Sequence, residues 1–153
     1  MRRLLIGILF LLPLSALSLG AQQNRPAPSA LPKVVVHKDP NCGCCSLWVQ
    51  HMERAGFAVT VSPDTDLSAI RKKHGVTPTL QSCHTALVGG FVVEGHVPAD
   101  DVKRLLRERP KVVGIATPGM PIGSPGMEQG STKQPYDVLA FDAAGKTTVF
   151  SKR

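Results

Sequence analysis

The cysteines are the residues of this chain whose types and spacing indicate chemistry. A Cys-Gly-Cys-Cys motif occupies residues 42–45, and the fourth cysteine, Cys83, is followed directly by His84. Thiolates this close together either exchange disulfides or bind a soft metal ion. Cys42 and Cys45 have the Cys-x-x-Cys spacing of redox motifs, and a bond between them closes a ring too small to serve as a stabilising cross-link.

The two additional cysteines favour a metal over a dithiol centre alone. A dithiol enzyme needs one attacking and one resolving cysteine, and extra thiols beside that pair invite wrong disulfides. Cu(I) prefers thiolate, and bridging thiolates let several ions share few sulfurs. Zinc also accepts four cysteines, or three and a histidine, but its sites typically use two separated pairs of ligands. Adjacent donors such as Cys83 and His84 suit a cluster better than one tetrahedral ion.

The N-terminus has the pattern of an export signal. Two arginines precede an apolar run from Leu4 to Leu19, and small residues follow near position 20. This pattern predicts a cleaved signal peptide over residues 1–21 and a periplasmic location. An uncleaved N-terminal anchor is the alternative, but the run is short for a membrane span, so we expect no stable membrane insertion. Residues 22–33 are predicted to form a Pro-rich linker.

The pattern of apolar residues predicts an α/β domain after the linker. Glycine and proline mark the ends of most elements, and Gly89-Gly90 between two apolar runs predicts a hairpin. The predicted order is strand, helix, strand, helix, strand, strand, helix, over residues 34–37, 45–55, 57–61, 66–75, 85–88, 91–95 and 98–109.

The C-terminal part is predicted to add a loop and a hairpin. Residues 117–135 are rich in proline and glycine, which indicates a loop without packed elements. Two apolar segments, 138–141 and 147–150, predict the hairpin. Met120 and Met127 lie in the loop, and thioethers bind Cu(I), so the loop is a candidate cover for a copper site. The alternative is that both are ordinary methionines.

The order of elements matches a thioredoxin-like fold. We therefore expect a mixed sheet flanked by helices over residues 34–153, with the C-terminal loop and hairpin added to it. The cysteine motif falls at the junction of the first strand and first long helix, where free N–H groups and the helix dipole stabilise thiolate. Pro78 precedes the third strand, where thioredoxin-like folds carry a cis proline against the cysteine loop. This predicts a cis Pro78 near the site, with Cys83 close to the motif.

Four segments together resemble the CopG-like periplasmic copper-resistance proteins, many of which carry only a domain-of-unknown-function label. They are His-Lys-Asp-Pro-Asn-Cys-Gly-Cys-Cys at 37–45, Gly-Val-Thr-Pro at 75–78, Ser-Cys-His-Thr at 82–85 and Val-Glu-Gly-His-Val-Pro at 93–98. The resemblance implies a thioredoxin-like fold that binds more than one Cu(I) ion in a cysteine-bridged cluster. Carried onto this chain, the implied ligands are Cys42, Cys44, Cys45 and Cys83, with His84, Met120 and Met127 as further candidates.

The implied function is copper resistance, with redox chemistry on copper and with copper ions and other periplasmic copper-handling proteins as partners. Two alternatives stay open. One is a metal-independent thiol–disulfide oxidoreductase that uses Cys42 and Cys45 as catalytic residues, and the other is a passive copper store. His96 has turn hydrogen bonding as its ordinary role and proximity to the site as the alternative. A net charge of +7 with one Trp and one Tyr indicates a solvated basic face and no nucleic-acid binding.

Overall fold

The computed structural model describes residues 30–153; the predicted signal peptide and most of the predicted linker lie outside them. The strands are β1 (Val34–Lys38), β2 (Val59–Val61), β3 (His84–Val88), β4 (Phe91–Glu94), β5 (Gly114–Ala116), β6 (Asp137–Phe141) and β7 (Thr147–Lys152). The helices are α1 (Gly43–Arg54), α2 (Leu67–Lys73) and α3 (Ala99–Glu108), and a 3₁₀ turn spans Pro78–Leu80. The predicted element order up to α3 is therefore confirmed.

All of these strands form one mixed sheet in the order β2-β1-β3-β4-β5-β6-β7. β1 runs parallel to β2 and antiparallel to β3, and β3 pairs antiparallel with β4. These four strands and the three helices have the thioredoxin arrangement, so the predicted fold class is confirmed. The predicted C-terminal hairpin is also present, as β6 and β7.

Strand β5 was not predicted from the sequence, yet it joins the hairpin to the rest of the sheet. It pairs parallel with β4 on one side and antiparallel with β6 on the other. Its three residues are completely or almost completely buried. A three-residue strand offers too few positions for an alternating pattern, and here it adjoins a loop rich in proline and glycine.

Helix α1 packs against the sheet through the apolar face that its sequence predicts. Cys45, Trp48 and Met52 are spaced three and four residues apart and are fully buried. The Trp48 indole Nε1 donates a hydrogen bond of 2.9 Å to the Val97 carbonyl. The helix ends before Gly56, whose φ of 93° is the left-handed conformation that glycine adopts without strain. Trp48 is thus a core residue.

The first turn of helix α3 forms hydrogen bonds with the earlier helix α1 and with the C-terminal strand β7. The Ala99 N–H at its start donates to Nε2 of His51 on α1, at 3.0 Å. Asp101 is only 2% exposed and accepts hydrogen bonds from Ser151 in β7 and from Arg153, which directly follows β7. The added hairpin is therefore anchored to the thioredoxin-like part by side chains as well as by the sheet. In the part of the chain that the structure describes, no helix is long and apolar enough to cross a membrane.

Gly114 provides a test of how closely β5 must approach β4. A Cβ at this position would lie 2.0 Å from the Val92 carbonyl oxygen, which cannot move without breaking the strand pairing. We expect Gly114→Ala to lower the free energy of unfolding by about 1–3 kcal/mol, the usual cost of overpacking, measured by urea denaturation. Gly43→Ala is the matched control, because a Cβ there meets nothing within 4 Å. Equal stability of the two variants would contradict this account.

Candidate metal centre

The cysteine motif lies where β1 ends and α1 begins. Cys42 is the N-cap residue of α1, and its sulfur accepts a hydrogen bond of 3.3 Å from the Cys45 N–H. The Cys42 N–H in turn donates to the Asp39 carbonyl at 3.1 Å, which fixes the turn before the helix. Because the first N–H groups of a helix have no partner within the helix, this end favours negative charge on the sulfurs.

The structure brings all four cysteine sulfurs together. Cys42 and Cys45 form a disulfide, with their Cα atoms 5.4 Å apart, whereas Cys44 and Cys83 are free thiols. The Cys44 sulfur lies 3.4 Å from that of Cys42 and 3.9 Å from that of Cys83. All four sulfurs lie within 4.8 Å of one another. The expectation that Cys83 reaches the motif is met, and the four form one potential metal-binding group.

Two fully buried histidines extend this group on the side of Cys83. Nδ1 of His84 lies 3.3 Å from the Cys83 sulfur, and Nε2 of His96 lies 2.8 Å from it. Cys83, His84 and His96 form a second potential metal-binding set that shares its sulfur with the first. The His84 ring also packs between Trp48 and His96, with ring centroids 4.4 and 5.1 Å apart respectively.

His96 lies at the site, which is the alternative that the sequence left open beside an ordinary role in a turn. It occupies a turn between β4 and α3, and only the return of the β3–β4 hairpin carries it to Cys83. Its Nδ1 lies 2.8 Å from the Pro125 carbonyl oxygen. A carbonyl only accepts, so Nδ1 carries the proton, and in the neutral ring Nε2 presents a lone pair towards Cys83. Metal-binding histidines are commonly oriented by such a bond from the second ring nitrogen.

Burial dominates the electrostatics of the site. It raises the pKa of Cys83 to about 12, with the neighbouring Cys44 raising it further. Burial also lowers the pKa of His96, and it lowers that of His84 well below the usual range, helped by the charges of His96, Arg71 and Lys38. Both rings are thus neutral at pH 7 and have lone pairs for a metal. The Cys83 thiol is therefore protonated at pH 7.

Glu94 holds the segment that carries Cys83. Its side chain is fully buried and accepts hydrogen bonds from the Ser82 N–H at 2.8 Å and from the Thr85 hydroxyl. These residues immediately flank Cys83 and His84. Arg71 completes the clamp, with its guanidinium 2.9 Å from the Glu94 carboxylate and 2.6 Å from the Ser82 carbonyl. Burial raises the pKa of Glu94, which its hydrogen bonds and Arg71 oppose.

The loop after β5 packs over the site, contrary to the prediction of an unpacked segment. The hydroxyl of Ser82 donates to the Gly119 carbonyl, and the Gly119 N–H donates to Gln81 at 3.1 Å. Farther along, Gly126 is so close to α1 that a Cβ would lie 2.7 Å from the Cys44 carbonyl oxygen. Glycine allows this approach because it has no side chain.

The loop methionines differ in exposure. Met120 is 52% exposed, and Met127 is half-buried next to the close approach at Gly126. The loop backbone thus contacts the segments that carry Cys44 and Cys83. Ligation by either thioether stays a prediction.

The prediction of a cis Pro78 is wrong. Within residues 30–153 no peptide bond is cis. Pro78 instead opens the 3₁₀ turn after an extended Thr77, with φ of −70° and ψ of 158°. The first position of a helical turn accepts a trans proline, because a backbone N–H at that position would have no partner within the turn. The turn leads directly to Ser82 and Cys83, so Pro78 still belongs to the segment that approaches the motif.

The donor set favours a soft or borderline metal. Sulfur and imidazole nitrogen suit Cu(I) and zinc, whereas magnesium and calcium require oxygen. The four sulfurs and two imidazole rings therefore form a candidate site for such a metal.

The family model "Protein of unknown function, DUF411" matches residues 80–127, which include Cys83, His84, His96 and both loop methionines. None of the curated proteins matches the chain. Two solved structures, described as forms 1 and 2 of the copper resistance protein CopG, are each 45% identical to it, with a TM-score of 0.76. Each alignment covers 80% of this chain and 98% of the other.

The fold and the site define a class of protein. It is a thioredoxin-like domain whose Cys-x-x-Cys pair, at the start of α1, lies in a group of four cysteines and two histidines. Within that class, the chain belongs to the CopG family of copper resistance proteins. The resemblance inferred from the sequence motifs is thereby confirmed.

The Glu94 clamp is testable by truncation. Glu94→Ala would leave Arg71 buried without its partner, so we expect a loss of about 3–5 kcal/mol in unfolding free energy, measured by chemical denaturation. Where the variant still folds, alkylation of Cys83 should be faster, because its segment loses two anchors. Glu108→Ala is the control: its pair with Arg104 is an exposed contact of 3.7 Å and should contribute less than about 1 kcal/mol. Similar losses in both variants would refute the clamp.

Proposed function

We propose that this protein binds Cu(I) in the periplasm, as more than one ion in a cysteine-bridged cluster, and acts in copper resistance. The observation that carries the proposal is the convergence of four sulfurs within 4.8 Å of one another. Membership of the CopG family supports copper as the metal, because the related structures are named for copper resistance. Residues 1–21 would direct export, and residues 34–153 would form the copper-binding domain.

Copper is the cargo in this proposal, and the chain's own groups perform the steps. The Cys42–Cys45 disulfide must first accept two electrons and two protons from a thiol reductant to yield two thiols. Cu(I) then displaces the proton from each thiol that it binds. This includes the Cys83 thiol, whose pKa is high in the metal-free site. His96 binds through Nε2, with Nδ1 held by Pro125. His84 adds a nitrogen, and the methionines of the loop add thioethers.

The same disulfide supports a second role, in redox chemistry. A thioredoxin-like domain with a bonded Cys-x-x-Cys at the start of α1 has the parts of a thiol–disulfide oxidoreductase. We infer that the pair couples copper binding to thiol redox state, since the dithiol offers two ligands that the disulfide withholds. The alternative function is thiol–disulfide exchange without any metal, catalysed by Cys42 and Cys45.

Copper loading distinguishes these functions through the two cysteines outside the Cys-x-x-Cys pair. Protein reduced and loaded with Cu(I) without oxygen should retain more than one ion per chain after desalting, measured by elemental analysis. Cys44→Ser and Cys83→Ser should each retain fewer ions, because each removes a bridging sulfur. Ser46→Ala is a nearby control and should retain the full amount. A wild-type protein that retains no copper would exclude the proposal.

Insulin reduction tests the metal-independent alternative. If the protein is primarily a copper carrier, metal-free wild type should reduce insulin much more slowly than a thioredoxin does, because Cys45 is fully buried and the Cys83 carbonyl lies 3.7 Å from its sulfur. The rate is followed by turbidity. Fast reduction that survives Cys44→Ser and Cys83→Ser, but not Cys42→Ser, would instead favour the oxidoreductase.

A further inference from the structure

Lys38, the last residue of β1, is a buried cation without a carboxylate partner. Its side chain is only 6% exposed. The ammonium donates two hydrogen bonds, to the carbonyls of Asp39 at 3.0 Å and Pro40 at 3.3 Å. Across residues 30–153 it forms no salt bridge. Arg71 is the contrasting case, because its side chain is 12% exposed and its charge is paired with Glu94.

Lys38 lies at the base of the cysteine motif. The Asp39 carbonyl that accepts from its ammonium also accepts from the Cys42 N–H, at 3.1 Å. The two nitrogen atoms thus converge on one oxygen, directly before α1. On the other side, Lys38 is paired with His84 in the register of β1 and β3, so both side chains leave the same face of the sheet. The positive charge therefore lies beside the turn before the motif, and it is close enough to His84 to help lower the pKa of that ring.

An unpaired buried charge is costly, and two carbonyl dipoles compensate it only in part. Ionised cysteines of the four-cysteine site would supply the missing negative charge whenever thiolates outnumber bound ions. Four thiolates carry four negative charges, so any number of Cu(I) ions below four leaves the cluster anionic. The positive end of α1 offsets only about half a charge.

We propose that Lys38 is the built-in countercharge of the four-cysteine site and raises its affinity for Cu(I) by stabilising its anionic, thiolate-rich states. This inference rests on the proposed copper-binding function and adds a residue that determines the strength of binding. Lys38 is a positioning residue, since it touches no sulfur. A purely structural role would require its hydrogen bonds to the two carbonyls but not its charge.

Charge and hydrogen bonding are separated by three substitutions. Lys38→Arg keeps the charge, Lys38→Gln keeps a donor without charge, and Lys38→Met keeps the apolar stem alone. Lys72→Met, at an exposed lysine of α2, controls for the loss of one positive charge from the whole molecule. Two quantities are measured: Cu(I) affinity by competition with a chromophoric chelator, and the equilibrium between the metal-free Cys42–Cys45 pair and glutathione.

The expected result is a loss of roughly tenfold in Cu(I) affinity for Lys38→Gln and Lys38→Met, the effect of one close charge in a partly shielded site. In the metal-free protein the same variants should favour the disulfide by about tenfold, or about 30 mV, because a nearby positive charge at the start of α1 favours ionisation of the reduced thiols to thiolate. Lys38→Arg should stay near wild type in both. Higher ionic strength should reduce the difference only slightly, since the group is buried.

Other outcomes overturn the inference. If Lys38→Gln equals Lys72→Met in both measurements, the charge has no role. If Lys38→Arg folds but is as impaired as Lys38→Gln, the lysine acts by packing. Should Lys38→Met fail to fold, the comparison of Gln with Arg still decides. A wild-type protein without Cu(I) affinity refutes the proposed function, while the glutathione equilibrium still tests Lys38 separately.

Discussion

The antiparallel pairing of β1 with β3 is the constraint on which the site depends. Lys38 and His84 are opposite each other in this register, so the end of β1 meets the start of β3. The motif follows the end of β1, and Cys83 directly precedes the start of β3. Both therefore lie at the same end of the two paired strands. A shift of this register by one residue would turn His84 to the opposite face and separate the sulfurs.

The buried ionisable groups around the site avoid the cost of desolvation in different ways. Glu94 and Arg71 neutralise each other while holding the backbone on both sides of the Cys83–His84 pair. The two histidines avoid a desolvation cost by remaining neutral. Within residues 30–153 Lys38 has no ionic partner, and it lies next to the cysteines that we propose as metal ligands. The Arg71–Glu94 pair thus fixes the backbone of the site, whereas the charge of Lys38 is the one that we propose to act on the cysteines.

Much of this architecture was predictable from the sequence, for identifiable reasons. Regular apolar spacing located α1, and the Gly89-Gly90 pair located the β3–β4 hairpin, where both residues have the positive φ expected of them. The fold class and the proximity of Cys83 to the motif followed from element order. The ligand roles of the cysteines, of His84 and of the loop methionines remain predictions.

Other features depend on contacts between distant segments, which local patterns do not record. His96 resembles an ordinary turn residue until the Pro125 carbonyl fixes its ring. Lys38 resembles an exposed strand end, because burial of a lysine leaves no mark on the sequence. The cis Pro78 was inferred from the position of thioredoxin prolines, whereas here the residue starts a 3₁₀ turn that accepts a trans bond. β5 is too short for its pairing to appear as a pattern.

The bond between His96 and Pro125 also has an implication for protein engineering. The Pro125 carbonyl in the loop after β5 determines which nitrogen of His96 faces Cys83. The loop is therefore needed for the geometry of the site and does more than cover it. Transplanting the three clustered cysteines into an ordinary thioredoxin would reproduce the sulfurs but leave the histidine free to choose its tautomer. A faithful graft would have to carry residues 119–127 along with them.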